Sequence, residues 1–215
     1  MTTSINVDKR SVKQLLETGK NKRFIIPEYQ RPYAWSDEQI QVLFDDLAEY
    51  TLNTTEDENN TYFLGTIVSY ENDNKEQEII DGQQRILSFL LLKLCLNPDF
   101  TTCSLLSATF SDKVTLGNLH SNSDRIREWC SSVDVGVKEA FDKALSEVLE
   151  VVVLTVNELS EAFQLFDSQN TRGRELYPHD LLKAYHLREI HDKYDMQRAV
   201  LKWESKDPKA IRELF

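Results

Sequence analysis

Five consecutive residues, Asp81-Gly82-Gln83-Gln84-Arg85, are of the types that can handle a phosphate. Apolar Ile79-Ile80 precedes them and the stretch from Ile86 to Leu96, apolar nearly all round, follows, so they fall at a strand-to-helix junction. A glycine at such a turn lets backbone N–H groups approach a ligand, and a helix N-terminus carries partial positive charge suited to phosphate oxygens. Arg85, in the first turn, is on the unfavourable side of the helix dipole, at a cost of roughly a few tenths of a kcal/mol unless an anion sits nearby. Two anions are available. Asp81, four residues earlier, can cap the helix and pair with Arg85 as a structural ion pair. Alternatively, the phosphates of a nucleotide rest on Gly82 and Arg85, Asp81 holds a divalent ion or the attacking water, and Gln83 or Gln84 orients that water. The segment is neither a Walker A loop nor GxGxxG, so its spacing leaves both readings open.

A second constellation is Tyr29-Gln30-Arg31-Pro32-Tyr33-Ala34-Trp35. Three aromatics interleaved with an arginine and an amide can stack on a base and read its edge or phosphate; aromatics beside proline can equally pack against a core. A third is Asn170-Thr171-Arg172-Gly173-Arg174, where Asn and Gly after a helix are C-cap chemistry and the arginines suit the dipole. Asp180 and Lys183, on a helix with Pro178 at its first position, read as a solvated pair if taken alone. Among the four histidines, His179 and His186 can share a helix face, but there is no HExxH and no cysteine at metal spacing. Cys95, Cys103 and Cys130 are odd in number, widely spaced and without a CxxC pair, so they read as reduced core residues and not as a disulfide framework or zinc knuckle.

Several elements must position these groups. Asp8 is placed to cap a helix over Val12, Leu15 and Leu16 that Gly19 ends. Phe24 to Arg31 reads as extended chain or an edge strand, since Pro27 and Pro32 punctuate it. Ser36 and Gln39 form a capping box for a helix with Ile40, Leu43, Phe44 and Leu47 on one face, ending near Tyr50. The polar stretch from Leu52 to Thr61 reads as a mobile surface loop. Tyr62 to Tyr70 and Glu78 to Asp81 make a hairpin. Gly82 opens a buried helix that Asn97-Pro98 stops. From Phe100 to Val137 the pattern is weak, with short helices around Asp124 to Cys130. A helix over Val137 to Glu150, a strand buried on both faces over Val151 to Val156, and a helix capped by Asn157 with Leu159, Ala162, Phe163 and Phe166 inward complete the pattern. The tail from Asp195 to Phe215 is charged and helix-compatible, and the chain reads as a possible fragment of something longer.

With 215 residues the chain has room for one good-sized domain. Hydrophobic residues at 40% and charged residues at 28% exclude collagen-like and wholly disordered classes. No apolar run approaches the ~20 residues of a membrane span. The N-terminus is polar and unlike a secretory signal, so the cytoplasm is the expected compartment. A net charge of -11 disfavours indiscriminate DNA binding, which gains from counterion release at basic surfaces. Nucleic-acid contact would be local, at Lys20, Lys22, Arg23 and Arg31 or at Arg172 and Arg174.

The segments IPEYQRPYAW, YFLGTIV, EIIDGQQR and FDSQNTRGRELYPHDLLKAY occur in the order and rough spacing of the N-terminal domain of GmrSD-type restriction endonucleases, which the chain resembles over about residues 5 to 190. That domain has a fold similar to ParB and sulfiredoxin. The resemblance implies an α+β fold, a small mixed sheet surrounded by helices, with a helical C-terminal part. Residues 1–98 would form the ParB-like nucleotide-handling core and 99–215 its mostly helical continuation. It implies a nucleoside triphosphate with Mg2+ as ligand, bound and hydrolysed in phage defence, so as to regulate an HNH nuclease that cuts modified DNA. Carried over residue by residue, it makes Asp81, Gln83, Gln84 and Arg85 catalytic, with Asp81 also the metal ligand. Gly82, Arg85, Tyr29, Gln30, Arg31, Asn170, Arg172, Asp180 and Lys183 become nucleotide-binding, and Tyr29, Gln30 and Arg31 alternatively belong to a modification sensor. Two departures stand out: Leu87 and Ser88 replace the usual threonines, and the chain has no histidine and asparagine pattern of an HNH nuclease, which is expected in a further C-terminal part or a separate subunit. The rival readings are a ParB-like module that grips DNA or nucleotide without turnover, and an assembly domain in which Asp81 and Arg85 are only an ion pair.

Overall fold

A computed structural model describes residues 5–17, 23–27, 30–53 and 61–170, with a few isolated positions beyond. Its centre is a five-stranded mixed sheet in the order β1-β5-β3-β4-β2. The strands are β1 (Asn6–Ser11), β2 (Phe24–Ile25), β3 (Tyr62–Glu71), β4 (Gln77–Asp81) and β5 (Leu149–Val156). β5 runs antiparallel to β1 and parallel to β3, while β4 runs antiparallel to β3 and parallel to β2. With its helices this makes the α+β class expected from the sequence.

Two apolar layers cover the sheet. On one face Ile67, Ile79, Val151 and Val153 meet α1 (Val12–Leu16), α2 (Asp37–Asn53), α3 (Gln83–Leu96), α4 (Lys113–Ser132) and α5 (Val135–Lys143) in the main core. On the other, Val68, Ile80 and Val156 pack under Leu159, Ala162 and Phe166 of α6 (Leu159–Asn170). β5 feeds both layers, Val151 and Val153 into one and Val156 into the other, which is why residues 151–154 run apolar without alternation.

Four expectations need correction. Asp8 does not cap α1: it lies on β1, opposite Val153, and the cap is Ser11, whose hydroxyl accepts from Gln14 N at 3.2 Å while Gln14 Oε1 accepts from Ser11 N at 2.9 Å. β1 was illegible as a strand because its chief apolar residue, Val7, is 64% exposed and the element is held by its ladder to β5. The weak region after Phe100 holds a 20-residue helix, α4, capped by Asp112 through Thr115 N. Its buried stripe is Thr115, Asn122, Ile126 and Cys130, half of it polar, so no apolar period announces it. Helix α5 starts at Val135 and gives way at Lys143 to a π turn, Ala144–Val148, that leads directly into β5, so the expected helix to Glu150 is shorter. Helix α2 runs on to Asn53, past the expected end at Tyr50. Gly19, Tyr29, the rest of the expected loop from residue 54 to residue 60, and Pro178, His179 and His186 fall outside the described residues.

Candidate functional site: the head of helix α3

Gly82 stands between β4 and α3 with φ 93° and ψ 5°, the left-handed region that favours glycine. A Cβ there would collide with the Ile67 side chain and lie 3.3 Å from Ile67 Cα, so the junction can lie this close to β3 only with glycine. β4 pairs with β3 through a register shift between Val68 and Ser69, immediately before this turn.

The two glutamines of the junction have different surroundings. Gln84 is buried, and its Oε1 accepts from Ala34 N at 2.8 Å and Trp35 N at 3.1 Å, while its Nε2 donates to Pro32 O at 3.2 Å. Both ends of its amide are thus engaged with backbone. Gln83 is also buried, but among the described residues its Oε1 has no hydrogen-bond partner. An orphaned buried acceptor costs about 1–3 kcal/mol, so this oxygen calls for a donor from water or ligand.

The segment before α2 is fastened across the junction. Gln30 Nε2 donates to the carbonyls of Ile79 and Ile80 at 2.8 and 2.7 Å, taking over the edge of β4 where β2 has ended. Tyr33 is fully buried, its hydroxyl 2.7 Å from Ser88 Oγ and accepting from Asn122 Nδ2 at 2.9 Å. Burial pushes its phenol above the usual value, outweighing the two hydrogen bonds. Asn122 Nδ2 also reaches Trp35 O at 2.9 Å, Thr115 Oγ1 accepts from Tyr33 N at 2.8 Å, and Asn118 Nδ2 donates to Tyr33 O at 2.8 Å. Gln30 and the segment from Pro32 to Trp35 therefore touch the strand-to-helix junction. Of the aromatics weighed for base stacking, Tyr33 belongs to the core, and Trp35 is half-buried on a cavity wall.

That cavity, of about 380 Å3, lies between α2, β3 and α3. Trp35, Tyr62, Phe63 and Phe89 give it aromatic walls, Glu38 and Asp46 of α2 supply carboxylates, and Arg85 supplies its cation. Its volume falls in the roughly 300–1,000 Å3 range of small-molecule sites. Arg85 Nη1 donates to the carbonyl of Thr66 at 2.9 Å. The guanidinium lies over Gly65, φ 117°, where a Cβ would collide with Nη1 and sit 3.1 Å from Cζ. Asp81 and Arg85 form no ion pair, and among the described residues the Asp81 carboxylate has no hydrogen-bond or ion-pair partner, so the structural-pair reading of the junction is not realised. Asp81, Gly82, Gln83 and Gln84 do not line the cavity; Arg85 alone connects the junction to it.

The sequence model of the GmrSD restriction endonuclease N-terminal domain matches residues 12–187. The chain belongs to this family. It is thereby placed in a restriction endonuclease system, while a comparison with curated proteins gives no match. The GmrSD match runs beyond α6 and takes in Asn170, Arg172, Asp180 and Lys183. Asn170 ends α6 and its side chain is not described, and Arg172, Asp180 and Lys183, like Tyr29, lie outside the described residues. Arg31 is described and exposed. No helix among the described residues of this GmrSD domain is long and apolar enough to cross a membrane, and none of them form a group of three or more metal-binding side chains.

Sequence reasoning missed Gly65, Ser88, Thr115, Asn118 and Asn122. Gly65 carried a usable signal, an isolated glycine inside a strand pattern, which marks a close approach by another group. The others are ordinary polar residues whose partners are distant in sequence.

Proposed function

We propose that the domain binds, and with Mg2+ hydrolyses, a nucleoside triphosphate at the head of α3, and that this controls an HNH nuclease acting on modified foreign DNA. The observation that carries the reading is the placement of Arg85: its guanidinium is on the wall of an open cavity, held by one backbone carbonyl and not neutralised by Asp81. An arginine has five N–H donors, and among the described residues one backbone carbonyl engages Arg85, which leaves donors for phosphate oxygens.

Charge explains the need for a cation. Glu38 and Asp46 share the cavity with Arg85, so a polyphosphate entering alone would meet more negative than positive charge. Mg2+ is usually held by one or two carboxylates together with substrate phosphates, and Asp81 at the end of β4, whose carboxylate has no partner among the described residues, suits that habit. When bound, the ion would neutralise charge on the phosphates. The chain's own residues do the rest: Gly82 lets the head of α3 lie against Ile67 of β3, Arg85 meets phosphate oxygens, the aromatic walls pack on the ligand, and Gln83 Oε1 can accept from a water or ribose hydroxyl. Gln84 is assigned as a positioning residue, since both ends of its amide hold the segment from Pro32 to Trp35. Tyr29, Gln30 and Arg31 are assigned to the same neighbourhood or to sensing of the DNA modification. Asn170, Arg172, Asp180 and Lys183 are assigned to the helical side of the nucleotide.

One observation favours a second reading, a module that binds without turnover. With Gln84 engaged by backbone, Gln83 is the one junction amide left to orient a water. Phosphate release from each triphosphate with Mg2+ separates the two. Turnover in wild type that disappears in Arg85→Ala supports hydrolysis; binding without release in wild type establishes the module instead.

A further inference from the structure

We propose that Cys95 and Cys130 form a disulfide under oxidising conditions, joining the C-terminal turn of α3 to α4. The proposal is independent of the nucleotide reading. The two thiols are neighbours across the α3–α4 contact, and Cys95 is the group that, after burial, most raises the Cys130 thiol. Cys95 Sγ also lies 3.6 Å from the carbonyl of Ile126, one helical turn before Cys130, so Cys130 leaves the face of α4 that Cys95 touches. Both residues pack in the main core, where α3 and α4 lie against each other. Cys103, the third cysteine, is bonded to its local backbone at Leu105 and Leu106.

The two thiols are unequal. Cys95 is half-buried and Cys130 buried, so an oxidant meets Cys95 first. Burial, and then the neighbouring Cys95 thiol, pushes the Cys130 thiol up to about 12, so Cys130 stays protonated at neutral pH and Cys95 is the first of the two to react. With a peroxide as oxidant, the Cys95 thiolate attacks one peroxide oxygen, the O–O bond breaks, and the other oxygen leaves as hydroxide and takes up the proton Cys95 released. Cys95 is then a sulfenic acid. The Cys130 sulfur attacks the Cys95 sulfur, the S–S bond forms, the S–O bond breaks, and the departing hydroxide takes the Cys130 proton. Two thiols are oxidised to one disulfide and hydrogen peroxide is reduced to two waters. The bond would join the helix that carries Gln84 and Arg85 to the helix whose Thr115, Asn118 and Asn122 hold the segment around Tyr33, so it would bind together two walls of the site's frame.

The test is peroxide treatment of the native chain, alkylation of the remaining thiols, and peptide mapping. A Cys95 peptide joined to a Cys130 peptide, with Cys103 alkylated, is the expected result; Cys103→Ser should keep the link at wild-type yield, and Cys95→Ser should lose it. Because a serine variant that fails to fold would also lose the link, the wild-type and Cys103→Ser maps decide the matter. A link that includes Cys103, Cys95 driven to sulfinic acid beside an alkylated Cys130, or three alkylated cysteines after peroxide would each overturn the proposal.

Discussion

Arg85 and Asp81, one helical turn apart at the start of α3, do not pair; the guanidinium instead crosses to β3 and donates to the Thr66 carbonyl at 2.9 Å. A first-turn arginine is disfavoured by the helix dipole, and in the function proposed above an anion from outside the fold would offset that cost.

Gly65 makes that crossing possible, and Gly65→Ala should imitate loss of Arg85. The new Cβ would collide with Nη1, and φ 117° is strained for alanine, at ~1–3 kcal/mol. Urea unfolding should show that loss of stability, and a titration with nucleotide and Mg2+ should show weakened binding. Wild-type affinity in Gly65→Ala would mean that the guanidinium position is irrelevant to the ligand.

Gln84→Ala should destabilise the domain by about 2–4 kcal/mol, because Pro32 O, Ala34 N and Trp35 N lose their partners together. Gln84→Glu keeps the acceptor and loses the donor to Pro32 O, so it should cost less. Chemical denaturation of the pair checks the order; equal costs would mean that the acceptor side contributes nothing.

Gly82→Ala should cost at least ~1–3 kcal/mol, from a strained φ of 93° and a Cβ pressed against the Ile67 side chain. Thermal unfolding reads the loss, and an unchanged midpoint would mean that the junction can rebuild itself.

These effects separate what was legible in the sequence from what was not. The β3–β4 hairpin, the glycine turn and the buried α3 announce themselves through local pattern: apolar runs, a glycine at the change of period, and Asn97-Pro98 as a stop. The meeting of Gln30 with β4 was anticipated only as a neighbourhood, and its geometry came from folding. β1 and α4 were hidden because their contribution is polar or exposed. Asn122 and Thr115 face inward to satisfy the backbone and hydroxyl of Tyr33, an arrangement that no hydrophobic period records. The replacement of a family threonine by Ser88 looked inconsequential in sequence, yet its hydroxyl meets Tyr33 and the Gln84 carbonyl.

Tyr33 also gives a pH signature. Its folded pKa lies above the ordinary value of 10.0 because burial disfavours the phenolate. The folded state therefore holds the proton more tightly than the unfolded chain, and the contribution to stability is complete below pH 10.0 and lost as pH rises through the folded pKa. Wild type should lose stability above that pH more steeply than Tyr33→Phe, as followed by denaturant midpoints. Parallel curves would show that the Tyr33 phenol ionises as freely in the fold as in the unfolded chain.

The most direct measurement is calorimetric titration of wild type and Arg85→Ala with non-hydrolysable analogues of the four nucleoside triphosphates in Mg2+. The account predicts binding of at least one by wild type and a roughly 10–100-fold loss in Arg85→Ala, the effect of removing a charged hydrogen-bond donor. Equal affinity in both proteins, or no heat with any analogue in wild type, would contradict it.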